Sequence, residues 1–508
     1  MPKTYENKIS NFSGGLSDDS RENASNQGAL IKHYDIFSNP RRLTPYRSTK
    51  SDMHDGSTAT GMKQYDVRHF QLGSDGKVWG LGKNASGYPK IVNKADPTTG
   101  NWTLPASAEG NATRIVGCFI EWASAFWFLQ GTNQVAKFTL AGTLTNSVST
   151  VGSTITTTAQ GLVFGDNLFI AYNNKLIKIS SAGAVSDNVT PALPSDMRIT
   201  SLTKSGNYIM IGMAFGTSAT ASPTGRSIVY QWDGSSTTVF NDIIDWGEGA
   251  LMCLGTIEGR VVGVSDKYLS SSLGLTRGSM VVRVWAGGTP EVVKEVVANQ
   301  TVTLGRFLNE VVIKNNKIYW VASVPFNLST TTESTFHLGI WSFGRKNVNS
   351  NFALTLDYIE EGIDTANYKI VSFGAAGDYW FINHSADGSI TSTDNSANYT
   401  FTSIYETQIF DGEDIRINKK LLGISVSTVP LPAAGQVVLK YRIDNETSYT
   451  TIFTDTTDND INHSAINIES SGATLPIFRE LQLRVESIGG AEITSLRFKY
   501  EEMGDDVY

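Results

Sequence analysis

The stretch DNDINHSAINIE comes closest in this sequence to the residue types and spacing of a metal site. Asp458, Asp460 and Asn462 occupy the first, third and fifth positions of a calcium-binding loop, and Glu469 occupies the twelfth. Such a loop would hold the ion through carboxylate and amide oxygens, but its sixth position needs glycine for a sharp turn and is His463 here. The flanking residues also have strand and loop patterns instead of helical ones. We therefore interpret the stretch as a polar loop between strands and predict no metal site.

The rest of the sequence contains no motif in which catalytic residues have their usual spacing. The six histidines are scattered and form no HExxH motif, and no GxSxG, P-loop or GxGxxG pattern occurs. The stretch SDGKVW resembles the Asp-box turn of sialidase propellers, but it occurs once, so we interpret Asp75 and Gly76 as an ordinary turn. We predict that the protein is not an enzyme and has no catalytic residues and no cofactor. A glycan-cleaving pair of carboxylates stays open as an alternative, since sequence alone does not assign such a pair.

Length and charge restrict the classes of protein that fit. A chain of 508 residues is too long for one ordinary core, which favours two domains or a repeat architecture. The formal charge of −8 argues against a surface that grips nucleic acid. No apolar run suits a signal peptide or a membrane span, so we expect synthesis and folding in the cytoplasm. Cys118 and Cys253 are the two cysteines, and the sequence leaves open whether they pair.

A hairpin pattern recurs along the middle of the chain. In VFGDNLFIAYNNKLIKIS, two runs of alternating apolar residues flank Asn173 and Asn174, which tolerate the positive φ angles of a tight turn. Related stretches recur seven times in all, at intervals of 48, 42, 40, 53, 57 and 61 residues. A period of about 40 to 50 residues with four short strands in each unit is typical of β-propeller blades. We predict an all-β fold with a seven-bladed β-propeller over residues 63–411.

The two ends of the sequence have other patterns. Residues 412–508 contain evenly spaced alternating runs such as QVVLKYRID and FRELQLRVES, which predict a C-terminal antiparallel β-sandwich. Residues 1–62 are rich in Gly, Ser, Asn and Asp and predict an extended N-terminal arm. An arm this polar builds no core of its own, so we expect its apolar residues to lie on a partner surface. The candidate interaction residues of the arm are Arg41, Arg42, Arg47, Ile36, Phe37 and Tyr46.

The whole arrangement resembles a group of tailed-bacteriophage virion proteins. The resemblance rests on NFSGGLSDDSRENASNQGALIKHYDIFSNPRRLTPYR near the start and on the closing DIRINKKLLGISVSTVPLPAAGQVVLKYRID and FRELQLRVESIGGAEITSLRFKYEE. In that group an F-x-G-G-L opening introduces an arm, a divergent propeller follows, and a β-sandwich comes last. The common Arg-Pro-Gly near the end of the arm is replaced here by NPRRLTPYR.

The resemblance implies a structural tail protein of the virion, a nozzle or tail-tip component assembled in the bacterial cytoplasm. Its partners would be other copies of the chain in a ring of six, the portal or head-tail adaptor, and tail fibres. Genomic DNA would pass through an acidic channel as cargo, because like charge disfavours phosphate contacts. A receptor-binding or glycan-degrading virion propeller is the alternative function.

Overall fold

The computed structural model describes most of the chain as β-strands and connecting turns. The described residues are 3–17, 26–48, 50–51, 67–84, 86–98, 101–105, 115–156, 158, 160–216, 225–270, 276–297, 311–324, 337–346, 351–359, 370–384, 390–393, 398–444, 446–466 and 476–503. They contain no helix, so the prediction of an all-β protein is confirmed. None of their elements is a helix long and apolar enough to cross a membrane.

Most strands between residues 69 and 392 form four-stranded antiparallel sheets in which consecutive strands pair. We number these sets sheets 1 to 7 in chain order; sheet 6 is continuous with a larger sheet described below. Their strands are His69–Leu72, Val78–Lys83, Pro89–Lys94 and Trp102–Thr103 in sheet 1; Ile115–Trp122, Ala125–Gln130, Gln134–Thr139 and Leu144–Thr150 in sheet 2; Leu162–Phe164, Asn167–Tyr172, Lys175–Ser180 and Val185–Ser186 in sheet 3; Met197–Ser205, Tyr208–Phe215, Arg226–Trp232 and Asp242–Glu248 in sheet 4; Ala250–Ile257, Arg260–Ser270, Thr276–Trp285 and Glu291–Val297 in sheet 5; Val312–Lys314, Lys317–Val324, His337–Gly344 and Ala353–Ile359 in sheet 6; and Ile370–Ala376, Tyr379–His384, Ile390–Ser392 and Lys50–Ser51 in sheet 7.

The hairpin pattern produces the central two strands of each sheet. In sheet 3, Asn167–Tyr172 pairs with Lys175–Ser180, and Asn173 between them has a φ of 50°, in the left-handed region that asparagine tolerates. Side chains alternate between the two faces of these strands, so apolar residues of one sheet meet those of the next sheet.

The core lies between neighbouring sheets. Each sheet shares a buried apolar cluster with the next one, and sheet 7 shares one with sheet 1. Representative pairs, from sheets 1 and 2 onward, are Trp79 with Phe126, Trp127 with Leu168, Phe169 with Trp232, Met210 with Leu254, Met280 with Trp320, Tyr319 with Trp380, and Phe381 with Trp102. This sequential packing of four-stranded sheets is propeller-like, as the period of the hairpins predicted.

Two further sheets share one apolar core near the C-terminal end. Sheet A has the order Thr4–Ile9, Ile493–Glu502, Lys419–Thr428, Asn462–Ile466, with Ile477–Phe478 also paired to Lys419–Thr428. Sheet B has the order Gln27–Lys32, Ser403–Thr407, Leu481–Ile488, Gln436–Ile443, Thr450–Asp455, and Gln27–Lys32 connects it to Ala353–Ile359 of sheet 6. Short strands Gly15–Leu16 and Tyr34–Asp35 pair with Gln27–Lys32 and Thr44–Pro45, respectively. The alternating residues Val437, Leu439, Leu483 and Val485 face the core between sheets A and B.

The described N-terminal residues are built into these sheets, which corrects the expectation of an arm that lies on a partner surface. Thr4–Ile9 forms an edge of sheet A, and Gln27–Lys32 lies inside the large sheet between Ser403–Thr407 and Ala353–Ile359. Lys50–Ser51 is the last strand of sheet 7, paired with Ile390–Ser392. The physical reason is that each strand satisfies backbone N–H and C=O groups that would otherwise form an open sheet edge. The predicted boundaries at residues 62 and 411 stay predictions, and residues 52–66 lie outside the described residues.

The two cysteines are far apart in the architecture. Cys118 lies in sheet 2 and Cys253 in sheet 5, and both are buried and form no disulfide. This answers the question about pairing that the sequence left open. Burial raises the pKa of the Cys253 thiol well above its usual range.

Candidate functional site: the N-terminal clasp

The residues that carry the sequence resemblance fasten two hydrophobic cores together. Phe12 is fully buried in the core between sheets A and B, where its ring meets Tyr405 edge to face at 5.2 Å. Leu16, four residues later, is buried in the core shared by sheets 5 and 6. We call residues 12–17 and 26–47 the N-terminal clasp, because this segment contacts both regions.

Glycine is required at the fourth position of the FSGGL stretch. Gly15 has a φ of +68°, which side chains with a Cβ rarely adopt. A Cβ at this position would lie 2.7 Å from the Cβ of Ala353 and 2.8 Å from the carbonyl oxygen of Leu354. The close approach of the clasp backbone to Ala353–Ile359 therefore depends on the missing side chain.

A buried ion pair lies beneath the second half of the clasp. Lys317 and Asp357 belong to sheet 6, their side chains are 5% and 1% exposed, and the Nζ and Oδ2 atoms are 3.2 Å apart. The Tyr46 hydroxyl donates a hydrogen bond to the same Oδ2 atom at 3.2 Å. His33 Nδ1 lies 2.9 Å from the carbonyl oxygen of Asp357. The clasp thus supplies polar partners to a pair that water does not reach.

Aromatic rings complete the surroundings of the lysine. The Lys317 ammonium lies 4.0 Å from the centroid of the Phe37 ring and 4.8 Å from that of Tyr319. Such contacts stabilise a desolvated cation because the faces of the rings are electronegative. Thr355 donates a hydrogen bond of 2.5 Å to Asp357 Oδ1. Burial still raises the pKa of Asp357, while the positive charge of Lys317 opposes that shift.

The structure places the apolar candidate residues of the arm inside this chain. Ile36 is 1% exposed in the core between sheets A and B, and Phe37 packs against the same core. Tyr46 packs against the cluster between sheets 6 and 7. The argument that these three side chains need a partner surface is therefore corrected, because sheets of the same chain bury Ile36 and partly bury Phe37 and Tyr46.

The three candidate arginines do not form one cluster of contacts. Arg42 makes an ion pair of 2.7 Å with Glu492 of the same chain. Arg47 lies over the ring of Tyr399 at 6.0 Å. Arg41 is exposed and lines a polar cleft. Of the three, Arg41 is the one whose charge faces a site with room for another molecule.

Sequence reasoning missed Lys317, Asp357 and His33. The available signal was weak: Lys317 and Asp357 are single charges within the apolar runs NKIYWV and LTLDYI. An isolated charge in a strand usually faces water, so the pattern does not distinguish a buried pair from two solvated residues.

The polar loop near residue 460 holds a second group of titratable side chains. Ligand atoms of Asp455, Asp460 and His463 lie within 4.8 Å of one another, and Glu469 of the predicted calcium spacing lies outside the described residues. His463 is buried, with Nδ1 3.0 Å from Asp455 Oδ2 and Nε2 3.0 Å from Thr428 Oγ1. Both ring nitrogens of His463 therefore have hydrogen-bonding partners, and these bonds connect Thr450–Asp455 to sheet A. We call this connection the brace, and it accounts for the grouping of the three side chains without an ion.

This brace predicts a pH-dependent loss of stability. The hydrogen bond from His463 lowers the pKa of Asp455 to about 2, so the ionised carboxylate stabilises the fold above its ordinary pKa of 3.8. That stabilisation is lost as the pH falls from about 4 to about 2. Asp455→Asn should lower the free energy of unfolding by about 1.5 kcal/mol at pH 7, the lower end for hydrogen bonds to charged groups. Urea unfolding of both proteins between pH 7 and pH 2.5 measures the difference.

Asp458→Asn is the matched control for this prediction. Asp458 lies in the same loop and is exposed, and its substitution should leave the unfolding midpoint almost unchanged. A difference between wild type and Asp455→Asn that stays constant down to pH 2.5 would contradict the assignment of the effect to the carboxylate.

Comparisons with known proteins give distant likenesses of fold. No family model matches the chain, and no curated protein matches it in sequence. Among solved structures, the N-terminal domain of Nup159 has a TM-score of 0.40 and 9% identity, covering 75% of this chain and 98% of its own. YCF48 bound to D1 peptide has a TM-score of 0.41 and 10% identity, covering 72% and 98%. Exo-beta-1,3-galactanase from Phanerochaete chrysosporium has a TM-score of 0.31 and 12% identity, covering 89% and 99%. At these values the likenesses carry no argument about activity or partners.

Proposed function

We propose that this chain is a structural component of a bacteriophage tail, part of a nozzle or tail-tip ring. In this proposal sheets 1 to 7 are the blades of a closed seven-bladed propeller, and sheets A and B form a C-terminal sandwich. The packing of Phe381 on Trp102, between sheets 7 and 1, supports closure of the propeller. The pairing of Lys50–Ser51 with sheet 7 also supports it, because an N-terminal strand there ties the ends of the ring together.

The observation that carries the proposal is the position of the FSGGL stretch. The residues that resemble the opening of tail proteins are the ones that connect the core of sheets 5 and 6 to the core between sheets A and B. A domain pair fastened through a shared N-terminal segment is suited to transmit load as one body, since neither half can move without breaking buried contacts. That property serves a tail ring and is not required of a soluble enzyme.

The ring in this proposal contains six copies below the portal or head-tail adaptor, and it holds tail fibres on its outside. DNA passes through its centre as cargo, and the net charge of −8 keeps the phosphate backbone from adhering. Contacts between copies fall on exposed residues outside the clasp core, because the apolar clasp residues are used within the chain.

The direct test is to locate the chain in particles of the phage that encodes it. Mass spectrometry of purified particles should detect the protein, and averaged electron micrographs of the tail should show a six-fold ring of propeller-shaped densities. Particles without the chain, or a location away from the tail, would overturn the proposal. The alternative of glycan degradation predicts release of reducing sugar from host polysaccharide, abolished by one Asp or Glu substitution in sheets 1 to 7.

A further inference from the structure

A polar cleft of about 870 Å³ lies where the first strand, the clasp and sheet 6 meet. Its walls come from the end of Thr4–Ile9 and the residues after it, from the turn around Asn39, and from Asn351 before the last strand of sheet 6. Asn26 and Thr494 line it as well, so parts of the chain that are distant in sequence contribute to one opening. Neither the ion pair nor the buried apolar contacts of the clasp account for it.

The lining of the cleft is positively charged. Lys8 and Arg41 both line it, and no aspartate or glutamate does. Neither cation makes an ion pair with the described residues, whereas Arg497 and Lys499 on the adjacent strand both lie within 4.0 Å of Glu6. Two unneutralised cations in one cleft favour a ligand that carries at least two negative charges.

Amide groups add hydrogen-bond donors to these charges. Asn11 and Asn39 use their Oδ1 atoms to accept backbone N–H groups of Ser13 and Arg41, at 3.1 and 3.2 Å. The NH2 groups of the same two amides take no part in these bonds and are available as hydrogen-bond donors. Asn351 lines the cleft as well. Cations combined with amide donors suit carboxylates on an extended peptide, whose backbone carbonyls also accept hydrogen bonds.

We propose that this cleft binds an acidic peptide segment of a second copy of the chain. The chain carries such a segment in MGDDVY, residues 503–508, which follows the paired strand Ile493–Glu502 and has two carboxylate side chains. A peptide fits better than DNA, because the net charge of −8 repels a long polyanion and two cations neutralise few phosphates. The inference rests on the proposed ring, in which every copy offers one cleft and one acidic segment.

The register of sheet A favours a second copy over the same chain. Glu501 is opposite Thr4, and Arg497 is opposite Lys8. The strand Ile493–Glu502 therefore runs away from the cleft, and its end lies about 13 Å along the sheet from Lys8 at roughly 3.3 Å per residue. A contact between copies of this head-to-tail kind forms a ring when the rotation between successive copies closes, as the proposed six-copy assembly requires.

Binding of a labelled MGDDVY peptide to the full-length protein tests the inference by fluorescence anisotropy. We expect saturable binding that weakens as salt rises, and no binding of the neutral analogue MGNNVY. Lys8→Gln and Arg41→Gln should each weaken binding about two- to fivefold, and both together about tenfold. Lys499→Gln is the matched control, a cation in the same sheet outside the cleft, and should bind like wild type.

Several results would overturn the inference. These are no binding of the acidic peptide, equal binding of the neutral analogue, or unchanged binding by the double variant. Tighter binding of a short DNA duplex or an acidic oligosaccharide, lost in the double variant, would assign the cleft to another ligand. Circular dichroism of the variants verifies their folding, which substitution of exposed side chains should preserve. Peptide binding by a chain that is absent from tails would refute the proposed function alone, and its failure by a chain found in tails would refute this inference alone.

Discussion

Deletion of residues 1–51 is expected to abolish cooperative folding of the remaining chain. The deletion removes Thr4–Ile9, Gln27–Lys32 and Lys50–Ser51, which pair with sheet A, the large sheet and sheet 7. It also removes the fully buried apolar side chains Phe12, Leu16, Leu30, Ile31, Tyr34, Ile36 and Leu43. At about 1.5–3 kcal/mol for each large buried side chain, this loss is comparable to the whole stability of a typical domain, about 5–15 kcal/mol.

Far-UV circular dichroism and urea unfolding measure the outcome of the deletion. We expect a broad, early transition and exposed apolar surface that binds a hydrophobic dye. Adding residues 1–51 as a separate polypeptide should restore a cooperative transition, because the missing strands can pair again. A truncated protein that unfolds cooperatively at the midpoint of the full chain would show that the clasp is a dispensable arm.

Removal of one partner of the buried ion pair has the second-largest expected effect. Asp357→Asn leaves the Lys317 ammonium uncompensated in a site where its side chain is 5% exposed. Breaking a buried pair in this way costs about 3–5 kcal/mol of folding free energy. The double variant Lys317→Met with Asp357→Leu removes both charges and should recover most of that loss, because no buried charge remains. Equilibrium urea unfolding at pH 7 compares the three proteins.

An exposed ion pair provides the control for this comparison. Arg226 and Asp245 form a salt bridge whose side chains are 57% and 61% exposed, so Asp245→Asn should cost less than about 1 kcal/mol. If Asp357→Asn proved as mild as Asp245→Asn, or if the double variant were no more stable than the single one, burial would not govern the energetics of the pair.

The sequence predicted some of the residues of the candidate site but not their partners. Ile36, Phe37 and Tyr46 were singled out as apolar side chains that need to be covered, and the structure does cover them. What covers them could not be deduced, because an apolar residue in a polar segment is equally consistent with a second subunit and with a distant part of the same chain. Tyr46 meets Asp357 across 311 positions of sequence, and no local pattern specifies a contact of that separation.

The sequence by itself determined the strands, the hairpins and the all-β class. These features follow from alternation with period two and from residues such as Asn173 that permit a turn, and both act over a few neighbouring residues. Tertiary structure alone decided that the N-terminal residues complete three sheets, that Lys317 and Asp357 form a buried pair, and that Lys8 and Arg41 share a cleft. The physical reason is that alternation tells which side chains face inward, whereas the identity of the facing surface depends on how sheets distant in sequence pack together.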